Sequence, residues 1–201
     1  MPKPDIIKSV QQRLIGLKTI AQPVYFHTNQ MKGDPSGQRK MEIKIAQADQ
    51  IEEIIDIYKY ARKFMKENGN GEQWGDRHPP RELIEEDIRR KKLYVCMNDE
   101  EIACVFYFNM EDDPTYRVIK GGAWLNDKPY GVVHRIASAK GSKGAATFCL
   151  NWAYELAGNV RIDTHEDNKP MRGLLEKLGF IYCGIIYIAS GASRIAFQKT
   201  K

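Results

Sequence analysis

The sequence predicts an α/β protein of the α+β kind, built on one mixed and mostly antiparallel sheet of six to seven strands. Seven segments have the alternating or apolar pattern of strands, and four have apolar residues at helical spacing. They follow in the order β-α-α-β-β-β-α-β-α-β-β. The strand–helix–strand succession near the middle implies one pair of parallel strands inside an otherwise antiparallel sheet.

The individual elements follow from local patterns. Residues 41–46 alternate as a strand, and Asp49-Gln-Ile-Glu52 has the pattern of a capping box that begins a helix. This helix ends at the glycine-rich segment 68–71, and a more polar helix is predicted over 81–90. Further strands are predicted over 93–97, 102–109, 130–138, 160–164, 180–188 and 194–198, and further helices over 144–156 and 169–178.

Length and composition indicate one domain of ordinary size. The chain has 201 residues, of which 42% are hydrophobic and 28% charged. No apolar run approaches the about 18 residues of a membrane span, and polar residues interrupt residues 6–20. Cys96, Cys104, Cys149 and Cys183 share no CxxC spacing, which favours buried free thiols over a metal site. We therefore expect a cytoplasmic protein with no membrane partner and no metal.

The positive charge is concentrated at the amino terminus. Residues 1–40 hold seven basic and two acidic side chains, a surplus equal to the net charge of +5 of the whole chain. The rest of the chain is neutral overall, which argues against a nucleic acid partner. We interpret residues 1–40 as a basic N-terminal extension, with a helix over 5–20, a flexible linker or a non-native leader as alternatives. Residues 41–201 are predicted to form a single domain.

A loop of small and basic residues joins the strand over 130–138 to the next helix, in the sequence Ala137-Ser-Ala-Lys-Gly-Ser-Lys-Gly-Ala-Ala146. The first turn of a helix has unsatisfied N–H groups and a partial positive charge, and small residues let an anion approach them. The loop is thus a candidate phosphate site. A nucleotide-binding module that uses this loop is therefore one alternative function. A tight strand-to-helix turn also needs small residues, and neither GxxxxGK[ST] nor GxGxxG is present.

This loop and the segment 160–180 together resemble the GNAT family, the Gcn5-related N-acetyltransferases, and the resemblance covers about residues 41–200. The family's phosphate loop is [QR]xxGx[GA]. Gly144 and Ala146 match this motif, whereas Gly141 stands at the position of the Gln or Arg. The chain is most similar to a bacterial subgroup of the family.

The family's second motif is Asn-x-x-Ala-x-x-x-Tyr-x-x-x-Gly-Phe. Asn168, Gly179 and Phe180 match it, while Met171 and Leu175 occupy the alanine and tyrosine positions. In many members that tyrosine donates a proton to the leaving thiolate, which leucine cannot do. The remaining candidates for this proton donor are water, Ser138 and Tyr182.

The resemblance implies helices on both faces of the sheet and acetyl-CoA bound where strands 4 and 5 splay apart. Backbone groups of strand 4 would pair with the pantetheine arm like an added strand. The N–H groups that begin the next helix would hold the pyrophosphate. The implied cofactor-binding residues are Ile136, Ala137, Ser138, Lys140, Lys143, Gly144, Ala145, Ala146, Thr147 and Asn168.

Transfer of an acetyl group to an amine needs a base, because only the free amine attacks. The candidate catalytic residues are His134, Glu72, Asp163 and His165. Three of them also have a structural alternative: a hydrogen-bonded core histidine for His134, a loop cap for His165 and a salt bridge for Asp163. An aromatic wall for the acceptor is predicted from Trp74, Tyr116 and Trp124.

The resemblance thus implies an N-acetyltransferase that moves the acetyl group of acetyl-CoA to a primary amine of a small molecule by direct attack. Acetylation of a protein or peptide is one alternative. A non-catalytic acyl-CoA sensor is another, since the tyrosine and the Gln or Arg are both replaced. Because many members are homodimers, a homodimer is also among the expectations.

Overall fold

The computed structural model describes residues 41–201, so the predicted basic extension and its helix over 5–20 lie outside the described residues. Within this range the predicted seven strands and four helices are present. None of the helices in residues 41–201 is long and apolar enough to cross a membrane. The elements are β1 (Met41–Ile45), α1 (Ile51–Glu67), α2 (Arg81–Arg89), β2 (Leu93–Asn98), β3 (Glu101–Met110), β4 (Gly131–Ser138), α3 (Ala145–Ala157), β5 (Asn159–Thr164), α4 (Lys169–Lys177), β6 (Ile181–Tyr187) and β7 (Ser193–Thr200).

All seven strands belong to one sheet in the order β1-β2-β3-β4-β5-β7-β6. Every neighbouring pair is antiparallel except β4 and β5, which are parallel. These two strands pair only at Gly131 with Val160 and at Val132 with Arg161, and then separate. The predicted mixed sheet and its splay between strands 4 and 5 are therefore confirmed, and one edge of β4 beyond Val132 is unpaired with β5.

A β-bulge helps to bend β4 at this point. The register of β3 against β4 shifts between Val105 and Tyr107, and Arg135 adopts a φ of 50°, which is strained for a residue with a Cβ. Three contacts hold Arg135 in place. Its carbonyl accepts a hydrogen bond from the Tyr58 hydroxyl at 3.0 Å, its guanidinium lies 4.8 Å from the Tyr107 ring centroid, and it pairs with the buried Asp87 at 2.5 Å.

Helices cover both faces of the sheet, as expected. On one face, α1 and α2 bury a cluster that includes Ile54, Tyr58 and Ile84 against β2 and β3. On the other face, α3 and α4 bury Trp152 and Leu175 against the remaining core. The four cysteines are buried free thiols, in agreement with their spacing.

The helix boundaries follow the capping pattern with one correction. The predicted capping box at Asp49–Glu52 is wrong, because Ala48–Gln50 forms a 3-10 turn and the Gln47 amide donates to Gln50 Oε1 at 2.9 Å. At the start of α4, Asn168 Oδ1 accepts a hydrogen bond from the Met171 amide at 3.2 Å, so Asn168 is the N-cap that the sequence predicts.

Candidate functional site

A cleft of about 1190 Å³ opens where β4 and β5 separate. Its floor is the unpaired half of β4 together with the end of β5. Its walls come from the end of α1 and the following loop, the small-residue loop before α3, the first turn of α4, and the β6–β7 turn. The residues with predicted functions that line it are Glu72, Trp74, His134, Ile136, Ala137, Ser138, Lys143, Ala146, Asp163, His165 and Asn168.

The small-residue loop presents free backbone donors at one end of the cleft. Gly144 is the N-cap of α3 and has a φ of 84°, a left-handed conformation that favours glycine. Within residues 41–201, the N–H groups of Ala146 and Thr147 have no backbone acceptor, and the Ala145 amide has only a long contact of 3.4 Å to the Ser142 carbonyl. The helix start therefore has the donors and partial positive charge that suit an anion.

Four predicted cofactor residues do not line the cleft itself. Gly144, Ala145 and Thr147 lie at the helix start, where only their backbone is suited to the predicted contact. For Lys140 the predicted placement at the cleft is wrong. The Ala139 amide continues the ladder to the Ala103 carbonyl at 2.9 Å, and Lys140 lines a separate shallow depression.

His134 lies between two carboxylates at the other end of the exposed strand. Its Nε2 is 2.8 Å from Asp113 Oδ2, and its Nδ1 is 3.7 Å from Asp163 Oδ1. The Tyr116 hydroxyl donates to the same Asp163 oxygen at 2.7 Å and fixes that carboxylate. Burial by itself would raise the pKa of Asp113, but hydrogen bonds from His134 and from Thr115 outweigh it and lower this pKa to about 2.

The depressed pKa of Asp113 predicts a loss of stability in acid. Its folded pKa of about 2 lies below the ordinary value of 3.8, so the stabilisation is complete above pH 3.8 and disappears as the pH falls towards 2. We expect the free energy of unfolding to lose about 2 kcal/mol through this group. Urea unfolding at a series of pH values should show a weaker decline in Asp113→Asn over this window. Equal declines in both proteins would contradict the assignment.

His134 also belongs to a group of three side chains that are close enough to hold a metal ion, but protein contacts already engage one of them. Glu111, Asp113 and His134 offer ligand atoms within 4.8 Å of one another. However, Glu111 accepts hydrogen bonds from Tyr107 at 2.9 Å and Asn109 at 2.8 Å, and it pairs with Lys92 at 3.3 Å. These contacts engage both carboxylate oxygens, which favours a structural role for Glu111.

The loop after α1 is fastened across the cleft by Gln73. Its Oε1 accepts hydrogen bonds from Asn70 at 2.8 Å and from the predicted cofactor residue Asn168 at 2.9 Å. This contact positions Trp74, whose ring packs edge-on against Tyr58 at 5.7 Å between centroids. Glu72, by contrast, is exposed at the rim.

His78 follows on the same loop and lines the cleft together with Arg135 and Arg194. Burial is the main cause that lowers the pKa of His78 to about 4, with Arg135, Arg194 and Arg62 contributing. A neutral imidazole at this place adds no charge to the cleft near neutral pH.

Two members of the predicted aromatic wall lie elsewhere. Tyr116 is buried, and Trp124 Nε1 donates to its carbonyl at 2.8 Å. Both pack with Tyr130, and the Arg161 guanidinium lies 4.2 Å from the Trp124 ring centroid. The prediction that Tyr116 and Trp124 contact the acceptor is therefore wrong, because the long loop packs them against Val132 and Ala196 of the sheet. Of the three predicted aromatic residues, Trp74 alone lines the cleft.

The residue at the position of the family tyrosine, Leu175, is part of the hydrophobic core. Leu175 is 0% exposed and packs in the cluster beneath α4, whereas its neighbours Met171 and Leu174 line the cleft. Tyr182 is 51% exposed, packs on Phe197 and does not line the cleft. Of the candidate proton donors with side chains, Ser138 alone lies at the cleft.

Several residues of the site have no signal in the sequence. Asp113 lies in a long loop without periodicity, and Gln73 sits in a polar turn of ordinary composition. Arg194 is the second residue of β7 and resembles any charged residue near a strand end. A buried charge or a hydrogen bond across 95 positions, as between Gln73 and Asn168, becomes visible only in three dimensions.

Known structures share this architecture. An acetyltransferase of the GNAT family from Streptococcus agalactiae is 31% identical, with 81% of this chain and 96% of the other covered and a TM-score of 0.75. A GNAT-family acetyltransferase from Listeria monocytogenes is 18% identical, with 80% and 94% covered and a TM-score of 0.60. The yncA protein of Salmonella typhimurium, solved with its cofactor acetyl-CoA, is 15% identical, with 80% and 93% covered and a TM-score of 0.52. The last two likenesses concern the fold alone. No protein-family model and no curated protein matches the sequence.

Proposed function

This chain belongs to the GNAT family of acetyltransferases, and on that basis we propose that it transfers the acetyl group of acetyl-CoA to a primary amine of a small molecule. The observation that carries the proposal is one continuous cleft. It joins the free amides that begin α3, the unpaired edge of β4, and the cluster of His134 with two carboxylates.

The residues along β4 and at the start of α3 fit acetyl-CoA as the cosubstrate. The amides of Ala146 and Thr147 have no backbone acceptor within residues 41–201 and suit the pyrophosphate. Ile136, Ala137 and Ser138 line the cleft on the strand edge that β5 leaves open, where an extended pantetheine arm can add like a strand. The complex of the yncA protein with its cofactor acetyl-CoA supports this assignment by analogy of fold.

His134 is the proposed general base. Because Asp113 is ionised at neutral pH, its oxygen accepts a hydrogen bond from Nε2–H of His134. The neutral imidazole then has its lone pair on Nδ1, which lies on the side of Asp163. An acceptor ammonium attracted by Asp163 can give its proton to Nδ1 directly or through water, and the free amine then attacks the thioester carbon.

The leaving thiolate needs a different proton donor from the family tyrosine. Leu175 has no donor and is buried, so Ser138 at the cleft or a water molecule takes this role. The second candidate function, a non-catalytic acyl-CoA sensor, is favoured by this same replacement. It predicts binding of CoA without turnover.

The shape of the site favours a small acceptor over a protein. Gln73 fastens the loop after α1 to Asn168 and to the end of β5, so this loop narrows the acceptor side of the cleft. A protein or peptide acceptor would need the hydrogen bond between Gln73 and Asn168 to break, whereas a small amine would not.

Thermal unfolding with acetyl-CoA, CoA and ATP tests the first step. A ligand at about 100 times its dissociation constant should stabilise the protein by about 2.7 kcal/mol. We expect a rise with acetyl-CoA and CoA and none with ATP. Release of free thiol from acetyl-CoA in the presence of a panel of small amines then tests transfer. Binding without turnover on any small amine or peptide would favour the sensor, and turnover on peptides alone would favour a peptide acetyltransferase.

A further inference from the structure

Arg194 is a buried cation in the cleft, and the part of the chain that the structure describes gives it no carboxylate partner. It is 8% exposed, and its guanidinium donates to the carbonyl oxygens of Ser193 at 2.8 Å and Gln73 at 3.3 Å. Within residues 41–201 no carboxylate lies within 4.0 Å of it, whereas the neighbouring cleft arginine, Arg135, pairs with Asp87.

Burial of an unpaired charge destabilises the folded protein, because the charge loses its hydration. Burial lowers the pKa of Arg194, and Asp163 opposes this effect only from a distance. Arginine nevertheless stays protonated in proteins and offers five N–H donors in a planar fork. Two backbone carbonyls do not neutralise its charge or occupy all these donors. An anion entering the cleft would supply the missing counter-charge, in the paired geometry that carboxylates form with arginine.

The sheet register places this cation on the same face as the acidic end of the site. Asp163 lies opposite Ala196 in the β5–β7 pairing, and Arg194 is two residues before Ala196 on β7. Side chains two residues apart on a strand point to the same face. The two backbone positions are separated by about 7 Å along the strand. Asp163 is near enough to raise the pKa of Arg194 against the effect of burial, so one small molecule can reach both groups.

We propose that the acceptor is a zwitterion of the amino-acid class, whose carboxylate pairs with Arg194 while its amine lies beside Asp163 and His134. This inference rests on the proposed acetyl transfer and adds the chemical class of the acceptor. Arg194 and Asp163 would orient the amine towards His134. The remainder of the molecule would lie near Trp74 and the β6–β7 turn.

Matched acceptors test the inference with the full chain at saturating acetyl-CoA. The probes are the common L-amino acids, their carboxamides, and the corresponding decarboxylated amines, with thiol release as the readout. We expect kcat/KM for the best amino acid to exceed that of its carboxamide at least about tenfold, as for a lost hydrogen bond to a charged group. Chemistry alone favours the carboxamide, because its amine is the weaker base and a larger fraction is unprotonated.

Two variants separate recognition of the carboxylate from support of the loop. Arg194→Gln should lower kcat/KM for the amino acid about 10- to 100-fold more than it lowers kcat/KM for the carboxamide, mainly through KM. The affinity for acetyl-CoA should stay close to native. Arg194→Lys should recover part of the loss. The matched control is Arg62→Gln, since Arg62 also anchors this loop, through the His78 carbonyl at 3.2 Å, but does not line the cleft. It should not discriminate between the two acceptors.

The outcomes distinguish the two levels of the proposal. Equal use of amino acids and carboxamides, or acetylation of decarboxylated amines alone, would overturn the zwitterion and leave acetyl transfer in place. An equal loss for both acceptors in Arg194→Gln would show that Arg194 only supports the loop. Absence of turnover with every amine, in protein that binds acetyl-CoA, would overturn both proposals.

Discussion

Replacement of His134 by glutamine is expected to lower kcat/KM for acetyl transfer by about 10²- to 10⁴-fold, the usual contribution of a general base. Glutamine keeps a donor that can reach Asp113, which lies 2.8 Å from Nε2 in the native protein. It cannot accept a proton from the acceptor. The residual rate should also lose the dependence on pH that arises from the imidazole, while the affinity for acetyl-CoA stays close to native. Steady-state kinetics over a pH series and calorimetric binding measure both effects.

His165 provides the control, because it was an equal candidate and also lines the cleft. Its Nδ1 lies 3.5 Å from the exposed Asp167 on the loop after β5, and within residues 41–201 no second carboxylate pairs with it. We expect His165→Gln to change kcat/KM less than about tenfold. Native activity with an unchanged pH profile in His134→Gln would instead make His134 a structural histidine.

Substitution of Gly144 by valine is expected to weaken binding of acetyl-CoA by about 100-fold, or about 2.7 kcal/mol. Among residues 41–201 no heavy atom lies within 4 Å of a Cβ added at Gly144, so this part of the chain leaves room for the side chain. The φ of 84° is nevertheless unfavourable for valine, and the side chain would crowd the approach to the amides that begin α3. Isothermal titration of acetyl-CoA measures the affinity.

The control for backbone strain lies at the other end of the same helix. Gly158 is the C-cap of α3 with a φ of 69°, and among the described residues 41–201 an added Cβ would meet only Lys201 Cδ, at an ordinary 3.7 Å. Both valine variants should lose about 1–2 kcal/mol of stability, since both force a β-branched residue into a left-handed conformation. Only Gly144→Val should lose affinity. Equal affinities in the two variants would remove the helix start from the cofactor site.

The fold could be predicted well because its elements are specified locally. The alternation in residues 41–46, the helical spacing after Ile51 and the cap at Asn168 each depend on near neighbours in sequence. The crossover from β4 through α3 to β5 needs parallel strands, whatever the details of the loops. The capping box was the exception, because Asp49 and Gln50 joined a short 3-10 turn before α1.

The site was predicted only in part, because its contacts join residues far apart in sequence. The position of His134 on β4 was accessible, but its partner Asp113 is fixed by a long loop with no pattern. The same loop buries Tyr116 and half-buries Trp124, both of which the sequence had assigned to an aromatic wall for the acceptor. Arg194 carried no signal in the sequence, because its proposed role depends on its burial and on the lack of a carboxylate partner among residues 41–201.

The brief pairing of β4 with β5 has a consequence for the solution behaviour of this protein. A strand with unsatisfied backbone groups normally invites pairing with another protein molecule, which leads to aggregation. Here the unpaired edge of β4 begins beyond Val132 and lies inside the cleft, between the two halves of the sheet. A slim extended molecule can reach these groups, but a polypeptide strand would bring side chains on both of its faces and meet the cleft walls. The geometry that leaves β4 open to a ligand therefore also protects it from self-association.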